Sequence, residues 1–278
     1  MDRIVIDANG YRFDAIAAGP VDGDVVLCLH GFPQFADAWT PVLEALGAAG
    51  FRAVAFDQRG YSPGARPAGI AAYGMPHLVT DVIAVTDKLG ATRFHLIGHD
   101  WGGAVAWAAA GAHADRLKTL TVLSTPHSEA LTAAIRGDPD QQTRSGYMLM
   151  FRAPEGVAET YLLGDGAANL RAVYKGKVAP GQIDSIVERL GDGGALTPAL
   201  GWYRAMADNP RVGQIIVPTL FVWGDEDQAL GRTAALATAR HVEGPYRFEI
   251  VEGGSHWLID ERPDAIIALI APHLHAPR

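Results

Sequence analysis

Asp100 occupies a place where an enzyme keeps a nucleophile. It sits in Gly98-His99-Asp100-Trp101-Gly102-Gly103, after a mostly apolar run at 94–97 and before an Ala-rich helical run. A Gly-x-Asp-x-Gly at a strand-to-helix junction has the context of a nucleophile elbow, a sharp turn whose glycines let the backbone pass close to itself and leave the central side chain exposed. Serine is the usual occupant of that turn. Unlike serine, an aspartate is already ionised at pH 7 and needs no base before it attacks. Attack on an ester would give a high-energy anhydride, whereas attack on a strained or activated sp3 carbon gives an ordinary ester. That ester must then be hydrolysed, which requires an activated water and an oxyanion hole. The bland alternative is an Asp that caps the following helix.

Partners are available downstream in the order an elbow enzyme uses, nucleophile, acid, base. Trp223-Gly224-Asp225-Glu226-Asp227-Gln228 is an acidic turn after one apolar run, and Gly253-Gly254-Ser255-His256-Trp257 is a glycine-rich turn after the last one. A histidine there can take a proton from water while an acid fixes its tautomer; Asp227 and Asp225 both qualify as that acid. The backbone N–H of Trp101 and one from His30-Gly31-Phe32-Pro33, with Phe32 the natural donor, would form the oxyanion hole. His30 and His99 read as structural, Asp57 and Arg59 as locks on their own loop, and the remaining histidines carry no signal.

These residues need a scaffold to bring them together. Residues 2–7 and 11–17 flank Asn9-Gly10 as an antiparallel hairpin. Buried strands are expected at 25–29, 51–56, 94–97, 117–124, 215–223 and 246–251, and helices at 36–49, 77–89, after the elbow, at 229–240 and at 263–274. Alternating strands and helices imply an α/β domain with a mostly parallel central sheet covered on both faces. The alternation stops between 126 and 212, where the pattern is helical and loop-like. Residues 1–125 and 213–278 are thus expected to form the core, and 126–212 a helical cap over the strand ends where such folds bind ligands.

Composition narrows the classes. The chain has 278 residues, 49% of them hydrophobic, and a net charge of −8, which suits one large domain and argues against nucleic acid or an anionic membrane as partner. The N-terminus lacks the character of a signal peptide and no run of 18 apolar residues occurs, so a cytoplasmic protein is expected, monomer or homodimer. Cys28, the one cysteine, reads as a small core residue. No metal-spaced His/Cys cluster is visible, and neither metal nor organic cofactor is expected.

Taken together, His30-Gly31-Phe32-Pro33, Gly98-His99-Asp100-Trp101-Gly102-Gly103, Gly224-x-x-Asp227 and Gly254-Ser255-His256-Trp257 resemble the epoxide hydrolases of the α/β-hydrolase fold, over essentially the whole chain. The resemblance implies a covalent ester on Asp100, a His256–Asp227 pair that activates water, and two cap tyrosines that hydrogen-bond the epoxide oxygen. Segments 145–154 and 199–205 resemble those carrying the tyrosines, which makes them Tyr147 and Tyr203; Tyr161 and Tyr174 read as packing residues. The family's spacing favours Asp227 over Asp225. Gly201 departs from the family, which commonly has asparagine there. The implied partners are a small apolar epoxide, held by Phe32, Trp101, Tyr147 and Tyr203, and water.

Haloalkane dehalogenases share the aspartate nucleophile but often hold the halide with an asparagine in the oxyanion loop, where this chain has Phe32. Fluoroacetate-type dehalogenases need arginines after the nucleophile, where this chain has Trp101 and Ala104. A non-catalytic ligand receptor on the same scaffold would have no need of a base aligned with the nucleophile.

Overall fold

The computed structural model describes residues 1–275. Eight strands form one sheet: β1 (Asp2–Ala8), β2 (Tyr11–Ala18), β3 (Val25–Leu29), β4 (Arg52–Phe56), β5 (Phe94–His99), β6 (Leu117–Leu123), β7 (Thr219–Gly224) and β8 (Tyr246–Val251). Their order is β1-β2-β4-β3-β5-β6-β7-β8. The β1–β2 hairpin is antiparallel and pairs antiparallel with β4, while every other neighbour is parallel. The central strands are buried along their whole length, because helices cover both faces. Alternate residues divide between two cores. Leu27, Leu29, Val54, Leu96 and Val122 face α2 (Met75–Lys88) and α3 (Trp101–Ala112); Val26, Cys28, Ala53, Ala55 and Ile97 face α1 (Thr40–Ala48) and the closing helix Pro263–Leu274. Cys28 is fully buried, and burial pushes its thiol pKa up, away from reactivity.

Six helices fill the chain between β6 and β7: α4 (Ser128–Gly137), α5 (Pro139–Arg144), α6 (Tyr147–Phe151), α7 (Val157–Ala172), α8 (Pro180–Leu190) and α9 (Leu196–Ala205). The remaining helices are α10 (Arg232–Ala237), α11 (Leu258–Glu261) and α12 (Pro263–Leu274). No helix among the described residues is long and apolar enough to cross a membrane.

Two expected boundaries shift. The strand expected from residue 215 begins at Thr219; Ile215 makes only an isolated bridge to Val242, since Pro218 has no N–H to donate to a ladder. The helix expected over 229–240 is shorter, because residues 227–231 form the loop described below and the chain tightens into a 3-10 turn at Thr238–His241.

α9 is docked on two sides. Trp202 donates its indole N–H to the Arg59 carbonyl at 2.8 Å, and the Arg59 guanidinium is held in turn by both oxygens of buried Asp81 at 2.7 and 2.8 Å. Gly201 packs against the Tyr73 ring so closely that a Cβ there would lie 2.8 Å from Tyr73 Cδ2. Tyr73 cannot easily retreat, because its hydroxyl is bound to the Pro67 carbonyl at 2.7 Å. That contact is the physical reason for glycine at this position. Gly201→Ala gains about 1 kcal/mol of helix propensity but overpacks the contact at a cost of about 1–3 kcal/mol. The expected result is a melting midpoint lowered by a few degrees in thermal unfolding.

Candidate functional site

The elbow is built at the end of β5. Asp100 has φ 53° and ψ −124°, a conformation that costs a non-glycine residue on the order of 1–3 kcal/mol and points its side chain away from sheet and helix. The turn is possible only between glycines: a Cβ on Gly98 would lie 2.2 Å from the Gly102 carbonyl oxygen, and one on Gly102 would lie 2.1 Å from that of Leu29. Asp100 does not cap α3 with its side chain, so the capping alternative fails. Its carboxylate is held elsewhere. Oδ1 accepts the Phe32 N–H at 2.7 Å, and Oδ2 lies 3.3 Å from His256 Nε2.

His256 follows β8 and bridges two acids. Its Nδ1 is 2.8 Å from Asp227 Oδ2, while Asp227 Oδ1 accepts the Ala229 and Leu230 N–H groups at 2.8 and 2.9 Å. Asp225 points elsewhere, taking the Gly253 N–H at 2.7 Å. Of the two acids left open by the residues alone, Asp227 is the one on the histidine. Burial opposes protonation of His256, but Asp227 and Asp100 on its two nitrogens overcome it and push the pKa up to about 10. Burial would likewise raise Asp100, yet the His256 hydrogen bond and charge, with help from the Trp101 amide, hold it below the usual carboxylate range. The resting site is therefore an imidazolium between two carboxylates. Because the folded pKa of His256 lies above the ordinary value of 6.5, its contribution to stability is fully present below about pH 6.5 and is lost as pH rises through about 10, whereas that of Asp100 is lost as pH falls through its own depressed pKa. Asp100→Asn removes one of the two charges, so the His256 pKa should fall; an NMR titration of the imidazole checks this.

Several supports were not apparent from motifs. The His256 carbonyl accepts hydrogen bonds from Ser124 Oγ at 2.9 Å and meets His99 Nε2 at 2.7 Å, which makes His99 a strut that holds the His256 backbone. Buried Gln141 on α5 clamps the acid's loop, donating to the Ala229 carbonyl at 3.0 Å and accepting the Gly231 N–H at 2.7 Å. Arg144 donates to the Asp227 carbonyl. A buried glutamine on an otherwise polar helix is the one sequence signal for this clamp, and it cannot name the partner. His30 receives the Gln58 N–H at 3.1 Å and burial lowers its pKa to about 3, so it is a neutral strut. Asp57 accepts the Ala36 N–H at 2.8 Å and pairs with Arg189 on α8, tying its loop both to the core and to the inserted helices.

Two cavities meet at Asp100. The larger, about 860 Å³, is lined among others by Trp101, Leu131, Tyr147, Met148 and Leu230. The smaller, about 400 Å³, is lined by Phe32, Phe151, Tyr203, His256 and Trp257 as well as Asp100 and Tyr147. Tyr147 opens α6 and Tyr203 lies near the end of α9, their ring centroids 6.3 Å apart. The Tyr203 ring packs edge-on against Phe32 and Trp101 at 5.4 and 5.0 Å. Arg204 fixes that helix end, binding the Ala153 carbonyl and both oxygens of Glu159 at 2.9–3.0 Å. Burial and the nearby acids raise the pKa of Tyr147, and burial with Tyr147 and Asp100 that of Tyr203, so both phenols stay protonated donors. Tyr174 is a buried packing residue as expected. Tyr161 is not: it is 46% exposed and lines the smaller cavity, because its turn of α7 faces solvent.

Known proteins agree with this architecture. The profile of the alpha/beta hydrolase fold matches residues 24–154. Epoxide hydrolase A of Mycobacterium tuberculosis is 33% identical over 97% of this chain and 96% of its own length, and epoxide hydrolase 3 of Xenopus tropicalis is 31% identical over 96% of this chain and 75% of its own. The crystal structure of epoxide hydrolase A from Mycobacterium thermoresistibile superposes with a TM-score of 0.87 at 28% identity, covering 99% of this chain and 98% of that one. The chain belongs to the epoxide hydrolase family of the α/β-hydrolase fold.

Proposed function

We propose that the protein opens an apolar epoxide to a vicinal diol through an ester on Asp100. The observation that carries this reading is that Asp100, His256, Tyr147 and Tyr203 line one cavity, a nucleophile and a base facing two protonated phenols. Residues 126–212 act as the cap over the core formed by 1–125 and 213–278. Asp100 Oδ2 attacks an epoxide carbon, the C–O bond of the strained ring breaks, and the oxygen takes a proton from one tyrosine while hydrogen-bonded by the other. Esterification removes the charge of Asp100, and with it one of the two forces that keep His256 protonated. His256 can then give up its proton, which restores the tyrosine, and act as base. Water deprotonated by Nε2 attacks Cγ of Asp100. The negative charge that develops on Oδ1 meets the Phe32 and Trp101 amides. Collapse releases the diol, whose oxygen takes the proton from His256. The remaining hydrogen of the attacking water, left on the Asp100 carboxyl, passes to His256 and restores the imidazolium and carboxylate, so the sum is epoxide plus water to diol.

Asp227 orients the imidazole and balances its charge. Asp227→Asn is expected to lower turnover on the order of 100-fold, and Asp225→Asn to change it little, by steady-state assay with a terminal epoxide. The reading itself is tested by a panel that sets terminal aryl and alkyl epoxides against 1-bromoalkanes of matched length. Epoxide turnover should dominate. Faster release of bromide would favour a dehalogenase, and tight binding without turnover of either class a receptor.

A further inference from the structure

Away from the triad, one group of side chains has a chemistry that epoxide opening does not use. His127 stands just before α4, where the chain enters the inserted helices, and is fully buried. Its backbone N–H donates to Thr238 Oγ1 at 3.1 Å and the Trp107 ring meets the imidazole edge-on at 5.3 Å, so the ring is held in place. Neither ring nitrogen makes a well-aligned hydrogen bond, and outside the cluster it is the Gly213 backbone that favours the charged ring. Buried imidazoles are ordinarily satisfied through at least one nitrogen. Glu129, two residues on, uses Oε1 to accept the Val212 N–H at 2.8 Å. Its Oε2 lies 3.0 Å from His127 Nδ1 without the alignment of a hydrogen bond and is itself unpartnered. His241, closing the turn Thr238–His241, lies over His127 with ring centroids 4.6 Å apart and planes 5° from parallel. One donor atom from each of the three residues falls within 4.8 Å of the others.

We propose that His127, Glu129 and His241 bind one divalent transition-metal ion of the zinc class. Two imidazoles and a carboxylate are a donor set that suits zinc, cobalt or nickel, with water as the fourth ligand. Bonds of about 2.0–2.1 Å to a tetrahedral ion place donors about 3.4 Å apart, so separations of up to 4.8 Å close by at most about 1.4 Å while the 3.0 Å His127–Glu129 pair opens slightly. His127 is fixed and Glu129 is held through Oε1 by the Val212 N–H, so the adjustment falls on Glu129 Oε2 and on His241, which stands on a partly exposed turn. Turning His241 toward the ion breaks its stack on His127. The ion would link three segments: the entry of the inserted helices, their exit through Val212 on Glu129, and the core turn that carries His241. Glu129 and Val212 also line the larger cavity, so the ion would stiffen one of its walls.

The full-length protein, stripped with a chelator and dialysed, is titrated with ZnCl2 by calorimetry and with CoCl2 by visible absorption. One equivalent should bind, cobalt should give the intense d–d bands of a low-coordinate site, and a hundredfold excess of zinc over Kd should raise the melting midpoint by about 5–10 °C. Tenfold or greater weakening is expected in His241→Gln and in Glu129→Gln, and none in His77→Gln, which alters an exposed histidine on α2. His241→Gln sits on a partly exposed turn, so its fold is checked by circular dichroism; Glu129→Gln provides the second variant. Absence of saturable binding in the wild type, or binding that His241→Gln and Glu129→Gln leave intact, would overturn the proposal.

Discussion

His256→Gln is expected to stop the reaction halfway. Glutamine cannot deprotonate water, so hydrolysis of the ester should slow on the order of 1,000-fold or more, within the span that positioned acid–base catalysis supplies. Ester formation should survive. Without the imidazolium burial is less opposed and the Asp100 pKa rises, while the Trp101 amide still favours the ionised form. Oδ1 keeps its hydrogen bond from the Phe32 N–H, which does not depend on His256. Intact-protein mass spectrometry of the variant with styrene oxide should therefore show one adduct per chain, equal in mass to the epoxide, and peptide mapping should place it on Asp100. Residual turnover with no adduct would mean that Asp100 acts as a base on water rather than as a nucleophile, and the two-step scheme would fall. The wild type should show no adduct at steady state if deacylation is the faster step. A faint one would report the ratio of the two rates.

Much of this arrangement could be read before any coordinates, for reasons that differ by residue. Gly98 and Gly102 bracket Asp100 because no side chain fits there, so the strand-to-helix turn is written into residue type. Asp227 follows the buried strand β7 and His256 the half-exposed edge strand β8, and parallel strands deliver their C-terminal ends to one edge of the sheet. Residue type alone leaves Asp225 and Asp227 open, two residues apart on one turn; the family resemblance favours Asp227, and its 2.8 Å contact with the imidazole, while Asp225 takes the Gly253 N–H, agrees. The Gln141 clamp and the His127–Glu129–His241 group join segments distant in the chain, where periodicity and local spacing are silent. Tyr161 was misjudged because an aromatic on a helix packs or faces solvent according to tertiary contacts, not its own propensity. The start of β7 moved because an apolar run does not reveal where Pro218 interrupts pairing.

Removing both phenols should be the most damaging change that leaves the nucleophile and base untouched. In the proposed scheme each hydroxyl donates to an oxygen that gains negative charge as the ring opens, in a cavity whose walls include Phe32, Phe151 and Trp257. A preorganised donor of this kind contributes on the order of 100-fold or more. Tyr147→Phe and Tyr203→Phe are each expected to slow ester formation by about that much, and the pair on the order of 10,000-fold. Measured on the His256→Gln background, the effect should appear in the rate of adduct formation and leave the breakdown of preformed ester unchanged in the parent. Because burial holds both phenols above the ordinary tyrosine pKa, ester formation should not decline through tyrosine ionisation as pH rises to about 10, the unperturbed value. A 1-bromoalkane gives the complementary control: bromide leaves without a proton, so its displacement by Asp100 should be slow in the parent and little changed by losing the phenols. If the double variant instead opens epoxides at the parental rate, the electrophile's oxygen is served by other donors, and Tyr147 and Tyr203 are only walls of the cavity.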